Sequence, residues 1–310
     1  ACQQVMIMAP CIFPDIVSDQ LPIFLQAVYK LAIQILEVDR ELVTYDINFM
    51  IDFINELIFN TETSSDVLQS LITLATNSIT SQPNLIAFQV ALFGLADFAD
   101  YCSEELFEID PQIITTIISF SFTSPESDNF VFDACCGFLI SASENCSQIY
   151  QESYNQIISA LFSHLIQQPR AIQTLDFVIY KSVQQPAGYT ELLEALSGLL
   201  QSQELCESVL SCMSSVILHI NEINNGIYQS MRTILIQLLS SADIDMHTKS
   251  KVFECFGQLA KVAPLGIQED IPALMKVLVE VLSTENCEPI VYESIAECIQ
   301  KIAQIIPMSI

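Results

Sequence analysis

The sequence predicts an all-α protein, a right-handed solenoid of paired helices, and three observations predict it. Six segments share one pattern at steps of 37 to 43 residues: 88–99, 131–142, 171–182, 208–219, 251–262 and 291–302. Within them apolar residues recur at three- and four-residue steps, the spacing that puts side chains on one helical face. Turn chemistry suited to β folds is scarce, with 7 Gly and 12 Pro in 310 residues. The seventh column of the six segments reads Gly94, Gly137, Phe177, Ser214, Gly257 and Glu297. Small residues in four of the six suit a helix that crosses close against its neighbour.

A period near 40 residues, built of two helices, is the mark of HEAT or armadillo stacking, where each repeat buries its apolar face on the next. About seven HEAT-like pairs are expected over 1–310, read as one solenoid segment cut from a longer chain, with the clearest repeats in 84–310. In chain order, 21–36 reads as the second helix of a damaged first unit, and 47–59 with 67–79 as a fainter pair. Turns are expected at 61–66 and 121–127. Ser127 and Asp128 precede the helix at 131–143, and 151–166 reads as its partner. Pro169 opens the next helix, and Pro186 to Gly188 divide it from 189–200. The helices 204–220 and 227–239 flank an Asn-rich turn ending at Gly226. Val252, Phe253, Phe256, Leu259 and Ala260 then mark a helix apolar on more than one side. Pro264 and Gly266 are read as its end, and the segment from Ile267, with acids and Pro272 in its first turn, as the next start.

Composition narrows the function. The chain is 51% hydrophobic and 15% charged, which suits a filled interior rather than disorder. Thirty-seven acidic against ten basic residues give a net charge of −27. Such a field repels phosphate, so direct nucleic-acid binding is not expected and a basic protein partner is. The plainer reading, acidity that keeps an apolar protein in solution, stands beside it. The uncharged stretches 153–169 and 208–221 are too polar or too short to span a bilayer, so membrane insertion is not expected. Eleven cysteines include no C-x-x-C pair, and Cys135, Cys136, Cys212, Cys255 and Cys298 fall inside repeated helices as small core residues.

The sequence carries no recognisable catalytic pattern. His164, His219 and His247 are far apart in the repeat array, and no Gly-rich phosphate loop is present. The acid pairs Glu104–Glu105 and Glu269–Asp270 are placed in turns between helices, as solvated caps. No enzyme activity, metal or cofactor is expected.

The segment from Asp245 through Pro264, with its Phe256–Gly257 step, followed by 271–282, resembles a HEAT repeat of the importin-β (karyopherin-β) family. The units 205–239, 288–302 and 128–165 are similar, so the likeness covers about 125–310 and points to the middle and C-terminal repeats of that family. The resemblance implies a nuclear transport receptor segment working between cytoplasm and nucleus at the nuclear pore. It implies that basic cargo, or an importin-α-type basic adaptor domain, sits on acidic second helices, and that Phe-Gly nucleoporins insert between first helices on the outer face. The resemblance leaves open whether Ran contacts this segment or repeats outside it. Glu191, Glu194, Glu269, Asp270, Glu280 and Glu285 are the carboxylates expected to hold cargo, with ordinary solvated charge as the alternative at each. Phe107, Phe130 and Tyr150 stand near helix ends, where core filling competes with nucleoporin contact. A HEAT scaffold, such as a phosphatase regulatory or tethering subunit, is the rival reading.

Overall fold

The computed structural model describes residues 14–38, 50, 54, 64–80, 82–101, 110–166, 168–182, 184–202, 204–241, 244–283 and 289–305, without the side chains of 14–19. All of the expected helix at 47–59 except residues 50 and 54, with the pair Glu104–Glu105, Phe107 and Glu285, lies outside the described residues. Among those described there are thirteen α-helices and no strand. The chain packs as two compact units, 1–161 and 162–310.

In the first unit, α1 (Pro14–Val38) packs on α2 (Ser64–Ser78) and α3 (Leu85–Tyr101). Helix α2 also packs on α4 (Pro111–Thr123), and α3 on α5 (Asn129–Asn145). Phe88 of α3 meets Phe120 of α4 edge to face at 5.2 Å, and Phe122 of α4 meets Phe132 of α5 at 5.1 Å. Asp110 and Asp128 cap α4 and α5 by accepting from Gln112 N and Val131 N, both at 3.0 Å. The expected single helix at 151–166 is instead a 3₁₀ turn, Ser147–Ser153, followed by α6 (Tyr154–His164). The tighter turn buries Tyr150, whose hydroxyl donates to Ser143 at 2.9 Å. Phe130 is half-buried.

Helix α1 is longer than the 21–36 read from sequence, and its stretch 20–38 is long and apolar enough to cross a membrane by length and composition. It carries Lys30 and Glu37, so it is not an uncharged stretch. Here Leu21, Leu25, Val28, Ala32 and Leu36 are buried in the core of the unit.

The second unit repeats one plan. The first-helix layer is α7 (Pro169–Tyr180), α9 (Cys206–His219), α11 (Met246–Val262) and α13 (Pro289–Ile305), each packed on the next. The second-helix layer is α8 (Tyr189–Leu199), α10 (Asn225–Ser240) and α12 (Pro264–Leu282), again in sequence. All six aligned segments therefore fall on first helices: α3 and α5 in the first unit, and this layer in the second. Their cores are apolar: Val209, Met213, Val216, Phe253, Phe256 and Leu259 are fully buried. Cys212, Cys255 and Cys298 are buried in this layer and Cys135 and Cys136 in α5 of the first unit, and burial pushes the Cys135 and Cys298 thiols up to about 12. They are inert apolar filling at neutral pH.

The seventh column has mixed reasons. A Cβ on Gly257 would stand 3.3 Å from the Cys298 Cα, so glycine there permits the close approach of α11 and α13. At Gly94 a Cβ would overlap the Leu71 side chain of α2. At Gly137 nothing lies within 4 Å among the described residues, and no close crossing explains it there.

Candidate interaction surfaces

The second-helix layer carries most of the carboxylates expected to hold cargo. Helix α8 starts from Gly188, whose φ of 66° favours glycine, and turns Leu192, Leu193 and Leu196 into the core. Glu191 and Glu194 are left exposed on the opposite face. Glu191 stands in the first turn, where the helix dipole favours an acid. On α12 the buried stripe is Ile267, Asp270, Leu274, Leu278 and Val281, which leaves Glu269 and Glu280 exposed. Glu280 faces Lys276 at 4.0 Å, with both side chains mostly in solvent. Exposed pairs of this kind hold little free energy, so the carboxylate can exchange partners.

Two sequence readings need correction here. Glu269 and Asp270 do not sit in a turn. Helix α12 begins at Pro264, with Pro in its first turn, and runs through Pro272. The break expected at Gly266 is absent because Gly266 serves packing: a Cβ there would overlap the Tyr228 ring of α10. Nor is Asp270 presented to a partner. It is 2% exposed, accepts from the Tyr228 hydroxyl at 2.7 Å, and receives the Arg232 guanidinium on both oxygens at 2.6 Å. Desolvation comes first in raising the Tyr228 phenol above its ordinary range, and the bond to Asp270 adds to it. Asp270 thus ties α12 to α10. The sequence did carry a signal, since Tyr228 and Arg232 precede Asp270 by 42 and 38 residues, about one repeat.

A second surface, not foreseen from sequence, lies across the first-helix layer of the same unit. It is a groove of about 390 Å³ crossing α7, α9, α11 and α13. Phe177, Tyr180 and Leu218 supply apolar wall, while Asp176, Lys251, Glu254, Glu297 and Lys301 supply charge. The charges are mostly neutralised inside the groove: Lys251 pairs with Glu254 at 3.1 Å and Lys301 with Glu297 at 2.6 Å. Asp176 accepts from the Ser215 hydroxyl at 2.5 Å. Burial raises its carboxyl above the usual range, with the Ser215 bond and nearby Lys251 acting the other way. His219 faces the Tyr180 carbonyl at 3.4 Å, and burial lowers its imidazole. Among the described residues no group of three or more His, Cys, Asp or Glu side chains is placed to hold a metal ion.

No known family profile matches the chain, and no curated protein matches its sequence. Solved structures do match in fold. A crystal structure of importin β in an ammonium sulfate condition aligns with a TM-score of 0.61 at 14% identity, covering 86% of this chain and 35% of that one. A second importin β crystal structure, in a polyethylene glycol condition, gives 0.60 at 13% identity over 91% of this chain and 39% of that one. A designed armadillo repeat protein in complex with the peptide (KR)4 gives 0.54 at 14% identity, covering 77% and 98%. The class is therefore an all-α HEAT/armadillo solenoid. Its fold is importin-β-like, and the chain spans somewhat more than a third of the length of the importin β structures.

Proposed function

We propose that this chain is the protein-holding segment of a nuclear transport receptor, acting between cytoplasm and nucleus and carrying out no reaction of its own. The observation that supports this reading is the row of exposed carboxylates on stacked second helices: Glu191 and Glu194 on α8, and Glu269 and Glu280 on α12. They receive Lys and Arg side chains of a basic cargo or of an importin-α-type adaptor domain, drawn by a chain of net charge −27. The (KR)4 peptide of the designed armadillo neighbour is the same ligand chemistry. The first-helix groove, with Phe177, Tyr180 and Leu218, is the place for a ring of a Phe-Gly nucleoporin.

The test is direct. The full chain is immobilised and offered an importin-α basic domain, a Phe-Gly repeat peptide and a phosphatase catalytic subunit. Salt-sensitive capture of the basic domain together with capture of the Phe-Gly peptide is expected. Capture of the phosphatase subunit alone, with neither transport ligand held, sinks the proposal in favour of a scaffold.

A further inference from the structure

A third surface lies on the second unit, where α12 and α13 stand side by side. Helix α13 packs on α11 and α12 and buries Val291, Ile295, Cys298 and Ile302. Its other side shows Tyr292, Ala296, Ile299 and Ala303, all exposed. These positions step by four, three and four residues, the seam by which one helix receives another. Helix α12 carries an exposed apolar row of its own, Met275, Val279 and Leu282. Exposure is 46% at Met275 and Tyr292 and 58% at Val279. Single exposed apolar residues are ordinary, but a contiguous set marks an interaction site. Between the rows runs a narrow groove of about 90 Å³, lined by Leu274, Met275 and Leu278 of α12 and by Ile299, Ile302 and Ala303 of α13.

We propose that this face joins a second copy of the chain in a two-fold dimer, α13 lying antiparallel on α13 and α12 on α12. A two-fold interface is self-complementary, so each residue must suit the one it meets. About an axis midway between Ala296 and Ile299, Tyr292 falls on Ala303 of the second copy, and Ile299 on Ala296. Each pair sets a large side chain on a small one, as interlocking helices require. Leu278 shares the groove with Ile299, so the same axis crosses α12 close to Val279. There Met275 falls opposite Leu282 of the second copy. Ala303 lines the groove, so the Tyr292 ring enters it and leaves its hydroxyl at the wet rim.

Charge favours the same arrangement. Lys276 and Glu280 flank the α12 row, mostly in solvent and 4.0 Å apart. They lie on either side of the axis, so Lys276 of each copy stands opposite Glu280 of the other and the weak pair within the helix can be exchanged for one between copies. On the α13 flank Glu293 falls opposite Gln300 rather than another acid. The net charge of −27 repels two copies at a distance, but physiological salt screens such repulsion beyond about 8 Å. What meets at this face is apolar or opposite in sign. Helix α13 has 17 residues, so the face is about 26 Å long, and two helices side by side make it about 20 Å wide. Two copies then cover roughly 1,000 Å², the low end for specific association, which fits a reversible dimer of micromolar affinity.

The test is the mass of the full chain by sedimentation equilibrium, from low micromolar to several hundred micromolar at physiological salt. Mass should rise with concentration to two chains and stop there, because a two-fold interface is closed. Ile299→Asp should hold the chain a monomer throughout. Lys276→Glu and Glu280→Lys should each weaken the dimer about three- to tenfold, since two ion pairs become two like-charge contacts. The double variant Lys276→Glu, Glu280→Lys should return to within about twofold of the parent, the mark of coupled residues. Ile23→Asp, at an exposed apolar position of α1 in the first unit, should dimerise as the parent does. Should Ile299→Asp fold poorly, the charge variants decide alone, because both positions lie in solvent. A parent that stays monomeric overturns the proposal and leaves the face to a helix of another protein. So does growth past two chains, a dimer that survives Ile299→Asp or is lost in Ile23→Asp, or a double variant as weak as the single ones.

Discussion

The Tyr228 hydroxyl donates to Asp270 at 2.7 Å, across two helices of successive repeats and 42 residues of chain. Arg232 completes the arrangement with a bidentate approach to the same carboxylate. Asp270 is almost wholly buried while Arg232 keeps about a third of its side chain in solvent. Removing the acid therefore leaves a cation that can rehydrate, and removing the cation leaves an acid that cannot. Asp270→Ala should cost about 2 kcal/mol and Arg232→Ala about 3 kcal/mol, toward the range for breaking a buried pair. Urea unfolding checks both, and equal or smaller loss for Arg232→Ala would contradict the asymmetry.

Gly266 and Gly137 make opposite predictions from the same substitution. At Gly266 a methyl group overlaps the Tyr228 ring, so Gly266→Ala should destabilise by about 1 to 3 kcal/mol as overpacking does. Paired with Tyr228→Leu it should cost less than the two changes summed, because the clash disappears with the ring. At Gly137, inside α5 and with open space around it, Gly137→Ala should stabilise by about 0.5 to 1 kcal/mol through helix propensity alone. Thermal melts decide both.

Asp176 predicts a pH dependence. Its carboxyl is raised in the folded chain, chiefly by burial. Between the ordinary value of 3.8 and the raised one, the folded state holds more protons than the unfolded state. Stability accordingly falls as pH rises through that window. Asp176→Asn, which keeps an oxygen for the Ser215 hydroxyl, should stabilise the protein at neutral pH. That gain should fade as pH is lowered toward 3.8. A gain that persists unchanged in acid would place its origin elsewhere.

The exposed acids predict a salt dependence. Glu191→Gln, Glu194→Gln and Glu280→Gln should each weaken binding of an importin-α basic domain about two- to fivefold at low ionic strength, the worth of an exposed ion pair. The loss should shrink at high salt, where exposed charges are screened. Binding measured by anisotropy across a salt series tests this, and losses independent of salt would argue against ion pairing.

What the sequence by itself determined is the repeat: where the six aligned first helices fall, and that the chain is acidic. Apolar spacing and a period near 40 suffice, because stacking repeats require the same small and apolar positions each time. The six aligned segments show it, as each lies on a first helix. Glu191 and Glu194 were legible as exposed acids for the same reason, since their neighbours Leu192 and Leu193 claim the core. The tertiary structure alone decided which polar residues are spent internally. Asp270 and Glu269 are adjacent and alike in sequence, yet one is locked to Tyr228 and Arg232 while the other faces solvent. Which of two neighbours turns inward depends on the rotational phase of α12 against α10. That phase is set by contacts such as Gly266 against Tyr228, formed between residues most of a repeat apart. The same holds for the groove across the first helices. It is a property of the space between helices, and a one-dimensional pattern records only the helices themselves.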